Sequence, residues 1–450
     1  MSDAEGLMWR LEKDPYLSST FSNLTILDRP VDIDRFRRRM EIAAMAVPRL
    51  RQRVRSMPAN LAPPMWVDDP GFDIGYHVRH MALPKPGTLR QLADLTMLIA
   101  ADPFDRTRPL WEFVVIDGLK GRKGALVQKL HHTVADGEGS IRLSMQFLDL
   151  DRDAPGPEPV EIPTHDASVG PTGIETIRDF MAGGLRMPIA MIGQVKDLLA
   201  DPANIPRAGA AVIETIRGVA SQLSDVEQAR SPLWRTRSLR RHLEMLRVPM
   251  EPIKDAANAL GGTLNTAFVT AAAAAAGDYH RELGSPVDHL RASMAISTRT
   301  SGSGSNAFSL ARLLVPTSEM PIAERFQVIA SAASSARASS ATASLETLAR
   351  VASTLPTSLV ARLARQQSQT VDFATSNVRA ANFACYIGGA KVLENHPIGP
   401  LAGVAFNMTL MSYCGSLDLG LNTDAASIEQ PQLLASLVTK AFDDLRSTAS

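Results

Sequence analysis

The chain has 450 residues, of which 45% are hydrophobic, so it is long enough for two or three domains with full cores. Its 47 lysines and arginines balance 47 aspartates and glutamates, which gives no reason to expect a nucleic-acid partner. With two cysteines and no apolar run near the ~18 residues that span a bilayer, the sequence predicts a cytoplasmic protein without disulfides or a transmembrane helix.

Residues 1–150 alternate predicted strands with predicted helices, which indicates a mixed β-sheet with helices packed on it. After a predicted strand at 21–27, Asp32 is expected to cap a helix that ends at Pro48. Thr88 opens a second predicted helix. The remaining predicted elements of this half are adjacent strands at 111–116 and 125–130 and a helix after Gly137.

Residues 151–233 separate the two halves. This segment begins as a linker rich in Asp, Pro and Glu and continues with a helical pattern interrupted by prolines. Apolar side chains along 174–199, among them Phe180, Met181 and Ile189, alternate with arginine and lysine. Two interpretations fit this pattern: helices packed on a sheet or on each other, and a helix that lies on a membrane surface.

Residues 234–450 have a similar make-up of strands and helices, so we expect a second α/β half and a site in the cleft between the halves. Gly261-Gly262 ends one predicted helix, and Thr263 opens a small-residue helix that should pack tightly against a neighbour. The predicted strands of this half are 291–297, 308–315, 371–376, 386–393, 403–413 and 416–422, and its later helices are 322–340, 345–366 and one from Pro431.

One run, His131-His132-Thr133-Val134-Ala135-Asp136-Gly137, carries most of the functional information. It follows a predicted strand and precedes a predicted helix, so two imidazoles and a carboxylate stand at a turn. An imidazole with an unperturbed pKa of about 6.5 can take a proton from a hydroxyl at neutral pH and return it to a leaving group. Three interpretations compete: a general-base site, a zinc site and a purely structural pair of histidines.

The general base is favoured over the other two. A zinc site would need a further ligand pattern such as HxxxH, CxxC or HExxH, and adjacent histidines at a strand end are uncommon in a core. We therefore predict no metal site. The chain also lacks a G-x-S-x-G elbow, since Ser303 does not lie between a strand and a helix. This disfavours a covalent acyl-enzyme and favours direct attack by an activated acceptor.

With these motifs in place, the chain resembles the bacterial wax ester synthase/diacylglycerol acyltransferase family nearly end to end. The HHxxxDG run itself is shared more widely, with nonribosomal peptide condensation domains and, as HxxxD, with chloramphenicol acetyltransferase and plant BAHD acyltransferases. The resemblance implies an α/β fold of two chloramphenicol-acetyltransferase-like halves around an active-site channel. The other resembling segments are 3–12, 72–79, 105–112 with its Arg-Pro-Leu-Trp, 261–265, 376–378 and 397–401.

The resemblance also implies an activity and a role for each site residue. The activity is transfer of a long-chain acyl group from acyl-CoA to a diacylglycerol or a long-chain alcohol, with His132 as the base and His131 as a neighbour of catalytic or only structural role. Asp136 would hold the loop by pairing with a buried arginine, best matched by Arg299. The remaining assignments are Gly137 as structural support and Asn265, Ser376 and Asn377 as candidate oxyanion or pocket donors.

No cofactor is expected beyond acyl-CoA as co-substrate. The expected partners are acyl-CoA, a lipid alcohol and, because both substrates are lipids, a peripheral contact with the inner membrane face or a lipid droplet through 174–199. A group of arginines either meets the phosphates of CoA or forms a solvated charged surface. Its members are Arg230, Arg235, Arg237, Arg240 and Arg241.

Two departures from the family pattern leave the acceptor and the turnover open. Thr266 stands where the family has Asp, and Arg379-Ala380-Ala381 stands where it has Pro-Gly-Pro, a rigid turn that would help to shape the pocket. One alternative is therefore transfer to another lipid, glycolipid or polyketide hydroxyl, or amide formation of the condensation type. Another is a lipid-binding relative that has lost turnover.

Overall fold

A computed structural model describes residues 1–56, 64–135, 137–156, 158, 230–297, 308–340 and 357–449. The helices are α1 (Asp3–Leu11), α2 (Ile33–Ala46), α3 (Ile74–His77), α4 (Leu89–Ala101), α5 (Gly137–Ser144), α6 (Met250–Ala259), α7 (Leu264–Glu282), α8 (Ile322–Ser340), α9 (Thr357–Ser368) and α10 (Pro431–Arg446). The strands are β1 (Thr20–Leu27), β2 (Gln52–Arg55), β3 (Met65–Asp68), β4 (Val78–Ala82), β5 (Trp111–Leu119), β6 (Lys123–His131), β7 (Arg241–Pro249), β8 (His289–Ser297), β9 (Phe308–Pro316), β10 (Phe373–Arg379), β11 (Tyr386–Ile387), β12 (Ala390–Ile398), β13 (Phe406–Tyr413) and β14 (Ser416–Asp424).

The chain divides into two units, one made of 1–162 with 228–450 and the other of 163–227. Every helix and strand named above belongs to the first unit. The second unit lies outside the described residues, as does the predicted surface helix at 174–199. The domain boundaries at 150 and 234 and the role of this segment therefore stay predictions.

The first sheet has six strands in the order β11-β12-β1-β6-β5-β4, and helices cover both of its faces. On one face, Phe36 of α2 packs with Phe113 and Phe147. On the other, Leu92 of α4 packs with Val114. The predicted starts of both helices are confirmed: the Asp32 side chain accepts a hydrogen bond from the Arg35 N–H, and Thr88 forms a capping box with Gln91.

The second sheet also has six strands, in the order β7-β14-β13-β10-β8-β9. Its core is built around α7, whose run of alanines from 271 to 276 is almost completely buried. A Cβ atom at Gly277 would lie 2.2 Å from the carbonyl oxygen of Thr317, so this helix needs a glycine there to sit so close to the neighbouring chain. The prediction of a tightly packed small-residue helix is confirmed. Together the two sheets confirm the predicted α/β architecture of mixed sheets with packed helices.

One predicted strand is wrong. The stretch 386–393 is two strands, because Gly388 and Gly389 have φ values of +50° and +78° and form the two-residue turn between β11 and β12. Positive φ at both positions of such a turn is the geometry that matches the twist of a tight hairpin, and glycine adopts it without a steric penalty. The sequence patterns also gave no indication of β4, β7 or the small β2–β3 hairpin.

The chain crosses from one sheet to the other at the end of β12. β12 pairs with β1, with Asn395 opposite Thr25, whereas β13 pairs within the second sheet. At this crossing the backbone N–H of Asn395 donates to the Asp418 carboxylate at 2.7 Å. A Cβ atom at Gly420 would lie 2.0 Å from the Pro397 carbonyl oxygen, so only glycine allows this approach. The resembling segment 397–401 is thus the link between the sheets.

In the part of the chain that the structure describes, no single helix has the length and apolar composition to cross a bilayer. The pair α6 and α7 passes that test only when taken together, and the two helices are bent by 96° at their junction.

Candidate active site

The two adjacent histidines lie where β6 ends and the chain turns toward α5. The backbone N–H of His131 donates to the Leu110 carbonyl at 3.0 Å, and that of His132 donates to the Ser19 carbonyl at 3.1 Å. His131 is 1% exposed, whereas His132 is half-buried. Because the two main chains are held in this way, the two side chains meet different surroundings.

Both ring nitrogens of His131 are occupied by hydrogen bonds. Its Nδ1 accepts from the Thr133 backbone N–H at 3.2 Å and contacts the Thr133 hydroxyl at 2.8 Å. The remaining proton therefore lies on Nε2, which donates to a carboxylate oxygen of Glu12 at 3.1 Å. The ring can accept a substrate proton only by giving up one of these contacts, so its geometry is that of a structural group.

Glu12, the residue just after α1, is the anchor of this site. Its carboxylate accepts from the Ser18 hydroxyl at 2.6 Å, from the Ser19 backbone N–H at 2.7 Å and from His131. Burial alone would raise the pKa of Glu12, but these hydrogen bonds outweigh it and the pKa is lowered. Since the Ser19 carbonyl holds the N–H of His132, one carboxylate orders the ring of the first histidine and the backbone beneath the second.

An arginine supports the turn from the other side. Arg49 donates to the Thr133 carbonyl at 3.1 Å and to a Glu5 carboxylate oxygen at 3.1 Å. Its guanidinium also lies 4.2 Å from the ring centroid of Trp66. With its charge paired and its plane stacked, this side chain is well suited to hold the turn after His131 in a single conformation.

His132 packs against Phe21, one of the residues that line an apolar cavity. Its ring centroid lies 4.6 Å from that of Phe21, and Phe21 lines the cavity. The cavity has a volume of about 70 Å³. Its apolar lining comes from β1, β6, α5 with the turn after it, and the segment 380–413: Phe21, Leu130, Ile141, Met145, Phe147, Leu148, Ala380, Ala381, Cys385, Ile387, Val392, Met411 and Tyr413.

The candidate residues of the second half lie near one another. The Asn265 side chain, in the first turn of α7, donates to the Met294 sulfur at 3.0 Å, and Met294 is paired with Thr375, the neighbour of Ser376. Ser376 and Asn377 are half-buried in β10, which contacts α5. The helix that carries Asn265 and the helix after the histidines thus both contact β10, the strand that carries Ser376 and Asn377. Their role as oxyanion donors stays a prediction.

Thr266 does not disturb the helix that it helps to open. The Thr263 hydroxyl accepts from the Thr266 backbone N–H at 3.3 Å, and the two hydroxyl oxygens are 3.1 Å apart. Two threonines three residues apart therefore satisfy each other at the N-terminus of α7. The departure from the family pattern at this position is compatible with a normally capped helix.

Asp136 and Arg299 lie outside the described residues, so their predicted pairing stays a prediction. Gly137 is the first residue of α5. In the arginine group, Arg235 and Arg240 are exposed, as a solvated surface requires. Arg237 is different, because it donates to the Gly403 carbonyl at 2.8 Å and burial lowers its pKa.

His77 and Trp111 form a buried scaffold next to the strand that ends in the histidines. The Nδ1–H of His77 donates to the Trp111 carbonyl at 2.7 Å, and the two rings stack with centroids 4.5 Å apart. The Trp111 indole N–H donates to the Leu50 carbonyl at 2.8 Å. Burial lowers the pKa of His77 to about 4, so this imidazole is neutral in the folded protein at neutral pH.

This shift predicts a loss of stability in mild acid. An unfolded His77 takes up its proton near pH 6.5 and the folded one only near pH 4, so the stabilisation is complete above the first value and is lost as the pH falls toward the second. We expect about 2 kcal/mol to be lost between about pH 7 and about pH 5. His77→Asn keeps a donor for the Trp111 carbonyl, but its side chain does not titrate. Measured by denaturant unfolding, the variant should therefore not show this loss in the free energy of unfolding. If the free energy of unfolding fell by the same amount with pH in the wild type and in His77→Asn, this assignment would be contradicted.

Two sets of residues at the site escaped the sequence analysis. Glu12 was included only in the resembling segment 3–12, and its partner His131 is 119 residues away. The polar floor of the cavity was also missed; it consists of Asn23, Thr25, Gln128 and Asn395. A usable signal was the pair Asn23 and Thr25, two polar residues on the same face of a predicted strand.

Comparisons with known proteins identify the family of this chain. The family model for the wax ester synthase/diacylglycerol acyltransferase catalytic domain matches residues 1–268, and that for the C-terminal domain of the same family matches 304–446. A Mycobacterium tuberculosis (strain H37Rv) protein named as a diacylglycerol O-acyltransferase is 32% identical over 457 residues, covering 98% of this chain and 91% of its own. A second one from that strain is 27% identical, covering 93% and 89%.

Solved structures show the same fold. The wax ester synthase/diacylglycerol acyltransferase of Marinobacter aquaeolei VT8 superposes with a TM-score of 0.67 at 22% identity, covering 99% of this chain and 98% of its own. The first condensation domain of the calcium-dependent antibiotic synthetase gives 0.60 at 16% identity, with 100% and 95% covered. From the family models and the relatives in sequence, the chain belongs to the wax ester synthase/diacylglycerol acyltransferase family and is an acyltransferase.

Proposed function

We propose that the protein transfers a long-chain acyl group from acyl-CoA to the hydroxyl of a diacylglycerol or a long-chain alcohol, with His132 as the general base. One observation carries this proposal: of the two adjacent histidines, His131 is held at both ring nitrogens, whereas His132 packs against Phe21 at an apolar cavity. An apolar cavity beside a base is what esterification of a hydrocarbon substrate requires.

The reaction needs one base and no covalent enzyme intermediate. The acceptor oxygen attacks the thioester carbonyl carbon while the His132 imidazole takes the hydroxyl proton, and the carbonyl electrons move to the oxygen. The tetrahedral intermediate then collapses, the C–S bond breaks, and the CoA sulfur leaves with the proton from the imidazolium. Donors aimed at the developing oxyanion would lower the barrier further, and Asn265, Ser376 and Asn377 are the candidates for that role.

A departure from the family pattern at the cavity bears on the acceptor. Ala380 and Ala381, which stand at the last two positions of the Pro-Gly-Pro turn of the family pattern, line the cavity. Two small side chains in place of a rigid turn change the shape of the space in which a substrate chain lies. This observation supports the second candidate, a transferase of the same mechanism whose acceptor is another lipid or polyketide hydroxyl.

A substrate panel tests the proposed function. The purified enzyme is given long-chain acyl-CoA together with a diacylglycerol, a long-chain alcohol, a hydroxylated polyketide or an amine, and both free CoA and the acylated product are measured. We expect release of CoA with an ester product from the first two acceptors. Ester from the polyketide alone would favour the second candidate, and amide product would indicate condensation chemistry. Binding without turnover on every acceptor would indicate a lipid-binding relative.

We also propose that the enzyme works at a lipid surface, because both of its proposed substrates partition into membranes or lipid droplets. The segment that would make this contact, 174–199, lies outside the described residues. The same assay addresses the point when the lipid acceptor is presented either in detergent or in anionic vesicles. A surface enzyme should sediment with the vesicles and be faster on them. Equal rates without sedimentation would count against it.

A further inference from the structure

A small pocket that shares no residue with the apolar cavity is lined by two arginines, Arg237 and Arg241. Arg241 is the first residue of β7, where it pairs with Asp424 of β14, and Asp424 lines the same pocket. The first half of the chain contributes Tyr16. With a volume of about 10 Å³, the pocket is too small for a hydrocarbon chain, so its chemistry lies in the charged groups at its wall.

The Arg241 side chain points to an anionic ligand. The residue is half-buried, and no residue in the described part of the chain accepts a hydrogen bond from its guanidinium or forms an ion pair with it. Its nitrogens are not among the side-chain atoms that are closed off from solvent. A guanidinium stays protonated and only donates hydrogen bonds, so the group that matches it is an anion with oxygen acceptors.

The two nearest carboxylates do not take this place. Asp424 accepts instead from the Ser238 backbone N–H at 2.7 Å and from the Ser238 hydroxyl at 3.0 Å. Glu12 is occupied by the donors described above. Both carboxylates act on Arg241 only through space: burial lowers the pKa of Arg241, and these two charges raise it. A half-buried charge without a direct partner is unfavourable, so a ligand oxygen that accepts from it gains affinity.

Arg237 adds a second donor at the same pocket. Its Nε donates to the Gly403 carbonyl at 2.8 Å and its Nη1 to the Ser427 hydroxyl at 3.0 Å, which fixes the plane of the guanidinium. Its Nη2 has no acceptor among the residues that the structure describes, and it is not closed off from solvent. Two guanidinium groups at one small pocket provide the planar, multiple donors that phosphate oxygens accept from.

The pocket lies close to the histidines. Tyr16, which lines it, is three residues before Ser19, whose carbonyl holds the backbone N–H of His132. Three peptide units span at most about 11 Å. In an acyl-CoA the thioester and the phosphates stand at opposite ends of the pantetheine arm. A donor whose thioester lies at His132 therefore reaches the pocket with its phosphates.

We propose that Arg241, together with the Nη2 of Arg237, binds a phosphate group of the acyl-CoA donor. The phosphate oxygens accept hydrogen bonds from both guanidinium groups, while the rest of the nucleotide stays outside a pocket that is too small to hold it. The inference rests on the proposed function in taking acyl-CoA as the donor. Arg241 is then a binding residue that takes no part in the chemical step.

A thioester without phosphates separates this role from a structural one. Palmitoyl-CoA and palmitoyl-pantetheine carry the same acyl group, and only the first carries phosphates. With hexadecanol as acceptor, we expect Arg241→Gln to raise the KM for palmitoyl-CoA about tenfold with little change in kcat, and to leave the KM for palmitoyl-pantetheine as in the wild type. An equal change with both donors would mean that Arg241 acts through Glu12 or the fold. That result, or no change with either donor, would overturn the inference.

Arg240→Gln is the matched control. Arg240 is the adjacent residue, it is exposed, and it does not line the pocket. Both variants remove one positive charge, so a general attraction of CoA to the charge of the protein would affect them alike and would contradict the site. We expect the control to keep the wild-type KM for both donors. Arg241→Lys keeps the charge without the planar fork and should regain part of the affinity. Melting curves show whether each variant is folded.

Direct binding separates this inference from the proposed function. Calorimetry with free CoA, and with phosphatidylcholine vesicles that contain phosphatidate, requires no turnover. If CoA binds about tenfold more weakly to Arg241→Gln than to Arg240→Gln in a protein that acylates no acceptor, the phosphate site stands and the proposed reaction fails. If Arg241→Gln weakens only the binding of the vesicles, the phosphate belongs to a lipid headgroup and the CoA assignment is overturned. Equal binding of both ligands by both variants overturns the site.

Discussion

Replacing His132 by alanine should lower kcat by about 10²–10⁴-fold, the usual contribution of a general base, while the protein keeps its melting temperature. The ring is half-buried beside Phe21, and its removal leaves the backbone bond from the His132 N–H to the Ser19 carbonyl intact. The loss should therefore lie in the chemical step. Steady-state kinetics with saturating acyl-CoA and acceptor, read beside a melting curve, give both quantities.

His131→Ala is the matched control for this experiment. It removes an equally large ring from the adjacent position, but that ring is buried and bonded to Glu12 and Thr133. We expect His131→Ala to have a lower melting temperature and measurable residual activity, whereas His132→Ala should lose activity and keep its melting temperature. An enzyme that kept nearly all of its kcat without His132 would rule out His132 as the base, whatever the control showed.

The second large effect is expected at Glu12, which we infer to be a positioning residue. Glu12→Ala leaves the Ser19 N–H and the His131 Nε2–H without their acceptor, and each buried donor left unpaired costs about 1–3 kcal/mol. The backbone beneath His132 then loses its anchor, and displacement of a base by about 1 Å can cost about 10²-fold in rate. We expect kcat to fall by that order with little change in KM.

Glu12→Gln separates hydrogen bonding from charge. Both N–H donors point to one carboxylate oxygen, and both hydroxyl donors, Ser18 and Thr20, point to the other. A glutamine can place its carbonyl toward the N–H donors and its amide toward the hydroxyls, which can rotate to accept. Glutamine should therefore restore most of the kcat that alanine loses. If Glu12→Gln is as impaired as Glu12→Ala, the charge and not the geometry is what the site needs.

The sequence was most informative where the determinants are local. Asp32, Thr88 and Thr263 each start a helix because a side-chain oxygen reaches the N–H three residues on, and that relation is visible in the sequence. The run from His131 to Gly137 was found for the same reason, since its turn lies between a strand and a helix. The small-residue helix α7 was also recognised from its composition alone.

Local sequence patterns did not predict contacts between residues that are far apart in the chain. The partner of His131 is Glu12, and nothing between them in the chain suggests that the two meet. The cavity floor combines Asn23 with Asn395, which are 372 residues apart. β12 is an ordinary strand by composition, and its place beside β1 follows from the packing of the whole molecule, since the chain passes through most of the second half first. Local propensity contains no information on such a choice of neighbour.

The return of β12 to the first sheet has a consequence for how the protein can be made. While the chain is being synthesised, β1 has one neighbour, β6, and its other edge has to wait until residues 390–398 have left the ribosome. An unpaired edge on a sheet that is otherwise formed can pair with another chain. Residues 1–150 expressed alone would keep that edge open and lack the cavity wall that 380–413 contribute. We therefore expect each half of this enzyme to aggregate when it is expressed by itself, and to fold when both halves are expressed together.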